Sequence, residues 1–219
     1  MADGRLVRVW DLPVRLFHWG LVALFAFSWW SAENREMEWH LMSGILLLAL
    51  LLFRIIWGVI GGSTARYSHF VRSPHRVLAY LRGRERASQG HNPAGGYSVA
   101  LMLLLLCVQV GSGLLATDID GLDSGPLSYL LSFDASRIAA KVHGTSFNIL
   151  LALVGLHILA ILFYLVIRRT NLVWPMVTGR ARSTGVTEDE LRPAGVLPFV
   201  AAALVAGLVA WGASRGFGG

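Results

Sequence analysis

Long apolar runs separated by short polar segments are the main pattern along this chain. Five runs contain few charged residues and cover positions 14–32, 40–60, 97–116, 144–167 and 196–212. A helix needs about 20 mostly apolar residues to cross roughly 30 Å of hydrocarbon, and each run is close to that length. None of the runs alternates with period two, as the strands of a membrane barrel would. The pattern predicts an all-α integral membrane protein with five transmembrane helices.

The polar segments between the runs divide the chain further. Residues 73–83 begin with Ser-Pro, carry an apolar stripe and end with Gly, which predicts a short helix on the membrane surface. Residues 178–195 have the composition of a polar linker. We therefore expect a four-helix transmembrane domain over residues 1–177, the linker on the cytoplasmic side, and an additional transmembrane helix with a short tail over residues 196–219.

Composition agrees with a membrane class. Apolar residues make up 55% of the chain, charged residues make up 15%, and the mean hydropathy is +0.58, which is too apolar for an ordinary soluble domain. The one cysteine, Cys107, lies inside the third run, so a disulfide and a Cys-x-x-Cys-His attachment site for c-type haem are both excluded. No cleavable signal pattern precedes the first run, and we expect the first helix to act as its own targeting signal.

The basic residues alternate between successive polar segments. The N-terminal flank, residues 61–96 and residues 168–195 together carry fourteen of the nineteen Lys and Arg residues, whereas the other polar segments carry four. The positive-inside rule then places the N-terminus in the cytoplasm and the C-terminus, after five crossings, in the periplasm. Anionic lipid at the inner face explains the net charge of +6, so no nucleic-acid partner is needed. We expect a multi-pass protein of the bacterial inner membrane.

The seven histidines fall into two groups. Three lie in the basic segment after the second run, where solvated rings are expected: His69, His75 and His91. The other four lie in or at the ends of predicted transmembrane helices, where polar groups are costly and usually functional: His18, His40, His143 and His157.

The predicted topology sorts these four histidines by depth. His40 and His143 each stand where a helix begins at the outer face, and we call them the outer pair. His157 follows His143 by fourteen residues, which is nearly four turns on one helix face and about 21 Å of depth. That depth matches the position of His18 toward the cytoplasmic end of the first helix, and we call His18 and His157 the inner pair.

Two imidazoles at one depth are suited to hold a flat, apolar macrocycle through its iron, since neutral imidazole is a good metal ligand. Glycines lie near all four rings and would let a porphyrin edge approach the backbone: Gly20, Gly44, Gly144 and Gly155. The residues alone leave alternatives open. These are two haems, four hydrogen-bonded structural histidines, and a non-haem metal site or proton path.

Arg54 is a second unusual polar residue, because it lies inside the second run. A lone cation in mid-membrane costs about 2.5–3.5 kcal/mol. Arg54 follows His40 by fourteen residues, so it is expected on nearly the same face at the depth of the inner pair. Two interpretations remain open here. The side chain either snorkels to lipid phosphate or pairs with a propionate of an inner haem.

Four segments resemble the bacterial dihaem cytochrome b-561 family, which includes the cytochrome b subunits of nickel-iron hydrogenases. They read "RVWDLPVRLFHW", "WHLMSGILLLALLLFRIIWG", "GHNPAGG" and "VHGTSFNILLALVGLH", and the likeness covers roughly residues 5–177. The resemblance implies two haem b groups, with His18 and His157 as axial ligands of one and His40 and His143 as axial ligands of the other. It implies no ligand on the fifth helix.

The resemblance also implies a function. Two six-coordinate haems leave no open site for oxygen or substrate, so electron transfer is the expected chemistry. We expect a dihaem b-type cytochrome that carries electrons between the quinone pool and a periplasmic partner, either a c-type cytochrome or a dehydrogenase. A stand-alone quinone oxidoreductase with its own quinone pocket is one alternative. A membrane transporter or scaffold without haem is another.

Overall fold

The structure of the chain is a computed structural model, which describes residues 6–71, 73–82, 93–182 and 192–218. Most of these residues are helical. The α-helices are α1 Leu12–Glu33, α2 Met37–Ile60, α3 Tyr67–Phe70, α4 Pro74–Leu81, α5 Pro93–Leu115, α6 Phe133–Val166, α7 Val173–Thr178 and α8 Val196–Ser214. Two three-residue strands are also present, β1 Leu6–Arg8 and β2 Arg180–Arg182. Short 3₁₀ turns cover Ser63–Ala65, Ser128–Leu130 and Gly216–Gly218.

Within the described residues, five helices are long and apolar enough to cross a membrane, namely α1, α2, α5, α6 and α8. Large apolar side chains on these helices stay exposed, for example Leu159 at 63% and Leu204 at 59%. Such a surface is compatible with hydrocarbon and not with water, and helices satisfy their backbone hydrogen bonds internally. The prediction of an all-α integral membrane protein with five spanning helices is therefore confirmed, and the protein is a multi-pass membrane protein.

The fourth spanning helix starts earlier than predicted. The hydropathy pattern placed its start at residue 144, but α6 begins at Phe133. Ser132 caps it, because its Oγ accepts a hydrogen bond from the backbone N–H of Ala135 at 3.3 Å. His143 therefore lies well inside a 34-residue helix and not at its start.

The surface segments agree only partly with the sequence pattern. The short helix predicted over residues 73–83 is present as α4, whereas His91 and residues 183–191 lie outside the described residues. The expected linker contains a strand, since β2 pairs antiparallel with β1 and sets Arg180 opposite Arg8. Three-residue strands so far apart in the chain leave no detectable alternation, so the sequence pattern did not predict this ribbon.

The chain divides into two compact units. Of the described residues, those within 1–17, 54–101 and 155–201 belong to the first unit, and those within 18–53, 102–154 and 202–219 belong to the second. Val9, Trp57 and Ala65 form the most buried part of the first unit, at 1%, 2% and 0% exposure. In the second unit Leu150 is 1% exposed, and small residues of α8 are also buried, namely Ala202, Ala206, Ala210 and Ala213.

Candidate functional site

The two rings of the outer pair lie close together in the second unit. His40, in the first turn of α2, and His143, on α6, have ring centroids 6.0 Å apart and ring planes at 87°. A first-row metal lies about 2.0–2.1 Å from a histidine nitrogen, so two imidazoles on opposite sides of one ion have ring centres roughly 6 Å apart. The observed separation therefore suits two axial ligands of a single metal ion.

A cavity of about 350 Å³ surrounds this pair. Its volume falls within the roughly 300–1,000 Å³ of pockets that bind small ligands. Aromatic and aliphatic side chains form most of the wall, among them Phe25, Trp29, Leu47, Leu106 and Phe147. Such a wall suits a flat apolar macrocycle better than a hydrated ion.

His40 is held through its Nδ1 atom, which lies 2.9 Å from the backbone carbonyl oxygen of Ser28 on α1. The Ser28 hydroxyl lies 3.2 Å from the same nitrogen. A carbonyl oxygen only accepts hydrogen bonds, so Nδ1 carries the proton and donates it. Nε2 is then the nitrogen with the lone pair, and this is the tautomer that a metal-binding imidazole needs.

His143 is held in the same way by Gln109 on α5. Nδ1 of His143 donates to the backbone carbonyl of Gln109 at 2.8 Å, which again leaves the lone pair on Nε2. The side-chain amide of the same glutamine donates to that Nε2 at 3.1 Å. Ser146 donates its hydroxyl to Oε1 of Gln109 and so orients the amide. One residue thus fixes both nitrogens of the His143 ring.

Glycines make room for the rings and for the cavity. An added Cβ on Gly113 of α5 would stand 2.7 Å from Cε1 of His143, so only glycine fits beside that ring. Gly44 and Gly144 line the cavity, and an added Cβ at either position would meet nothing within 4 Å. Both positions therefore leave open space where the edge of a porphyrin could approach the backbone.

The donor set fits haem better than a bare metal ion. Within the described residues, no group of three or more His, Cys, Asp or Glu side chains is placed to hold a metal. A protein-held zinc or iron site usually needs three or four such ligands. A porphyrin supplies four nitrogens itself and needs only two further ligands, a number that the two imidazoles of the outer pair match.

The inner pair is divided between the two units. His18 on α1 belongs to the second unit, where its ring packs edge-on against Trp19 with centroids 5.0 Å apart. His157 on α6 belongs to the first unit and is half-buried. The pairing of His18 with His157 stays a prediction.

Arg54 is almost completely buried in the first unit, with 3% of its surface exposed. Its guanidinium donates to the carbonyl oxygen of Ala65 at 3.2 Å and lies 5.2 Å from the ring centre of Tyr67 and 6.0 Å from that of Phe17. A buried cation is stabilised by such a carbonyl and by aromatic faces. The burial argues against snorkelling to lipid phosphate.

The sequence reasoning missed Gln109, Ser28 and Gly113. The rule that singled out the histidines also applies to Gln109, because it is a polar side chain within the apolar run "LLLLCVQV". Ser28 contributes its backbone carbonyl as the principal acceptor, and no residue type encodes that role. Gly113 gave no signal, since glycine is common in membrane helices.

The sequence matches the family model described as prokaryotic cytochrome b561 over residues 9–179. No match to the chain was found among the curated proteins or among the solved structures. Cytochromes of this family are membrane proteins that bind haem b and transfer electrons across the membrane. The match covers well over half of the chain and includes α1, α2, α5 and α6, on which all four intramembrane histidines lie. This protein therefore belongs to the prokaryotic cytochrome b561 family.

Proposed function

We propose that this cytochrome holds two haem b groups and carries electrons across the bacterial inner membrane, between the quinone pool and a periplasmic c-type cytochrome or dehydrogenase. The observation that carries the proposal is the outer pair. His40 and His143 have ring centres 6.0 Å apart, and each donates Nδ1–H to a backbone carbonyl. Each ring therefore has Nε2 as its metal-binding nitrogen.

The second haem is assigned to the inner pair, His18 and His157. Support comes from the spacing of fourteen residues between His143 and His157 on α6, and from the family to which the chain belongs. Residues 1–177 then form the dihaem domain. The segment 178–195 leads to α8, which lies beyond the range matched by the family model and carries no histidine.

The proposed chemistry is one-electron transfer, because bound haem iron takes up and releases a single electron. Two histidine ligands leave no open position for oxygen or a substrate. The backbone carbonyls of Ser28 and Gln109 keep the rings of His40 and His143 in one orientation. Side chains whose orientation is locked by such supporting contacts would hold a bound haem in one position.

Arg54 is proposed to pair with a propionate of the inner haem. A guanidinium binds a carboxylate through two parallel hydrogen bonds, and this geometry favours arginine over lysine. The packing of Arg54 between Tyr67 and Phe17 supports the proposal, because it holds a positive charge in the interior of the first unit, away from water.

The proposed orientation supports docking of a soluble carrier on the periplasmic side. Residues 33–39 carry three acids and one Arg, and residues 117–141 carry four acids and two basic residues. A complementary basic rim on the carrier would be steered toward these loops. Reporter proteins fused after residue 90 should behave as cytoplasmic and those fused after residue 125 as periplasmic. The reverse pattern would invert the assignment of both haems to their faces.

The haem count tests the main proposal. Purified protein should contain two haems per chain, and alanine substitution of any one of the four ligands should remove one. His40→Ala and His143→Ala should remove the same haem, whereas His18→Ala and His157→Ala should remove the other. His75→Ala, on the exposed surface of α4, is the matched control and should retain both. One haem per chain in the intact protein, or loss of the same haem from His40→Ala and His18→Ala, would contradict the proposal.

A further inference from the structure

A second cavity, of about 490 Å³, lies within the first unit. It is formed where β1, the start of α1, β2 and the start of α8 come together, and the residues that matter here are Arg8, Asp11, Arg15, Trp57, Arg180 and Phe199. The described lining contains three arginines and one aspartate, which gives a formal charge of +2. None of the four intramembrane histidines is among its lining residues.

The ribbon of β1 and β2 places two of these arginines directly opposite one another. Arg8 and Arg180 are Cα partners in the antiparallel ladder, and both are exposed. Side chains directly opposite on such a ladder lie on the same face, and two like charges there destabilise the pairing. An anion bound between the two guanidinium groups would replace this repulsion with two attractions.

Arg15 supplies the third guanidinium from α1. One of its terminal nitrogens donates to the carbonyl oxygen of Val177. Its Nε is shielded from solvent and has no hydrogen-bond partner within the described part of the chain. Gly179 adopts φ +78°, and an added Cβ there would lie 3.2 Å from this Nε. The turn before β2 therefore needs glycine in order to lie against the guanidinium.

Asp11 cannot turn toward the arginines without breaking other contacts. Its Oδ1 accepts the backbone N–H of Val14 at 2.8 Å and caps α1, and its Oδ2 accepts the indole N–H of Trp57 at 2.9 Å. The carboxylate is also buried, with 7% exposure. Among the described lining residues, the one acid is therefore engaged elsewhere and does not pair with the three arginines.

We propose that this cavity binds the phosphate group of an anionic phospholipid. Arginines bind phosphate oxygens through paired hydrogen bonds. Trp10, Pro13 and Phe199 give the cavity an apolar wall on which the glycerol and the first acyl carbons can lie. The starts of α1 and α8 are separated by four membrane crossings, so both lie at the same membrane face. Basic pockets at helix ends bind the headgroups of anionic lipids in other membrane proteins.

Native mass spectrometry of the haem-loaded protein in a neutral detergent tests the proposal. Phosphatidylglycerol is titrated against wild type, against Arg8→Gln/Arg180→Gln, and against Arg168→Gln/Arg182→Gln. The last variant removes the same number of charges from exposed positions outside the cavity, one of them on β2 itself. Each cavity arginine should contribute about five-fold to affinity, so we expect a loss of about 25-fold in the cavity variant and a change of less than two-fold in the control.

Further titrations separate the possible ligands. Phosphatidylcholine should bind at least ten-fold more weakly than phosphatidylglycerol, and equal binding would overturn the requirement for an anionic lipid. Inorganic phosphate should not displace the lipid. Displacement at a similar concentration would mean that the cavity takes soluble phosphate, and the lipid assignment would be wrong. Equal losses in the cavity and control variants would leave only general charge attraction and would overturn the site.

The haem absorption spectrum checks that each variant is folded. If Arg8→Gln/Arg180→Gln does not fold, Arg180→Gln alone is compared with Arg182→Gln, two residues away on the same strand. The expected loss is then about five-fold, and unchanged affinity in Arg180→Gln would overturn the proposal.

Discussion

Replacing Gly113 with alanine should release the haem proposed for the outer pair, which we call the outer haem. Gly113 lies on α5 against the imidazole of His143, and an added Cβ would stand 2.7 Å from Cε1 and 2.9 Å from Nδ1 of that ring. Carbon atoms pack at about 3.5–4.0 Å, so the ring must move by roughly 1 Å. The same displacement acts on the hydrogen bond from Nδ1 to the carbonyl of Gln109, which is 2.8 Å long.

A displacement of this size should affect haem ligation more than the free energy of unfolding. Metal–nitrogen distances tolerate only about ±0.2 Å, so a shift of roughly 1 Å is enough to break axial ligation. The cost in folding free energy is smaller. Overpacking a tight site costs about 1–3 kcal/mol, and alanine recovers about 1 kcal/mol of helix propensity relative to glycine. We therefore expect a large loss of haem and a modest loss of stability.

Gly111→Ala is the matched control, because Gly111 lies two residues earlier on α5 and an added Cβ there meets nothing within 4 Å. Both variants change helix propensity equally. The ratio of haem to protein and the reduced-minus-oxidised absorption spectrum are measured on both. Gly113→Ala should lose one of two haems, and Gly111→Ala should keep both. A full haem content with an unchanged spectrum in Gly113→Ala would refute the reasoning.

Gln109→Leu removes the amide that donates to Nε2 of His143 and keeps the backbone carbonyl. It should raise the affinity of the haem-free outer pair for haem about 2- to 10-fold, since one competing hydrogen bond is worth about 0.5–1.5 kcal/mol; a weaker affinity on titration would contradict this. Arg54→Gln should lower the reduction potential of the inner haem alone, because loss of a nearby cation favours the ferric state. Arg54→Lys keeps the charge but not the paired hydrogen bonds, so it should restore the potential only in part. A lower melting temperature with unchanged potentials would restrict Arg54 to packing. A variant with four neutralised outer acids should transfer electrons to a basic carrier more slowly and with a weaker salt dependence; the acids are Glu36, Glu38, Asp120 and Asp123. An unchanged rate with both haems bound would exclude docking at these loops.

The sequence predicted the spanning helices because membrane insertion depends on the length of an apolar run, which is a local property. The same criterion failed at the start of α6. Residues 133–143 include Asp134, Arg137 and Lys141, and these charges end the apolar run but do not prevent a helix. The backbone only needs its own hydrogen bonds and a cap at Ser132. Arg137 also donates to the carbonyl of Thr117 at 2.9 Å, a contact that no local pattern contains.

The sequence also predicted only part of the candidate site. Histidines in apolar runs stand out because a buried polar group needs a functional or structural partner. The partners themselves come from tertiary contacts, since His40 is 12 residues from Ser28 and His143 is 34 residues from Gln109. The early start of α6 has a consequence for the site. His143 has helical turns on both sides, so its backbone is held more firmly than at a fraying helix end.

Gln109 links this rigidity to the proposed chemistry. Its carbonyl fixes Nδ1 of His143 from the backbone of α5, and that bond does not compete with metal binding. Its side-chain amide contacts Nε2, the nitrogen proposed to bind iron, and a haem ligated there would take the place of this contact. The carbonyl contact is therefore compatible with a bond from Nε2 to iron, whereas the amide contact and such a bond would compete for the same lone pair. The gain in haem affinity predicted for Gln109→Leu measures this competition, because one such hydrogen bond is worth about 0.5–1.5 kcal/mol.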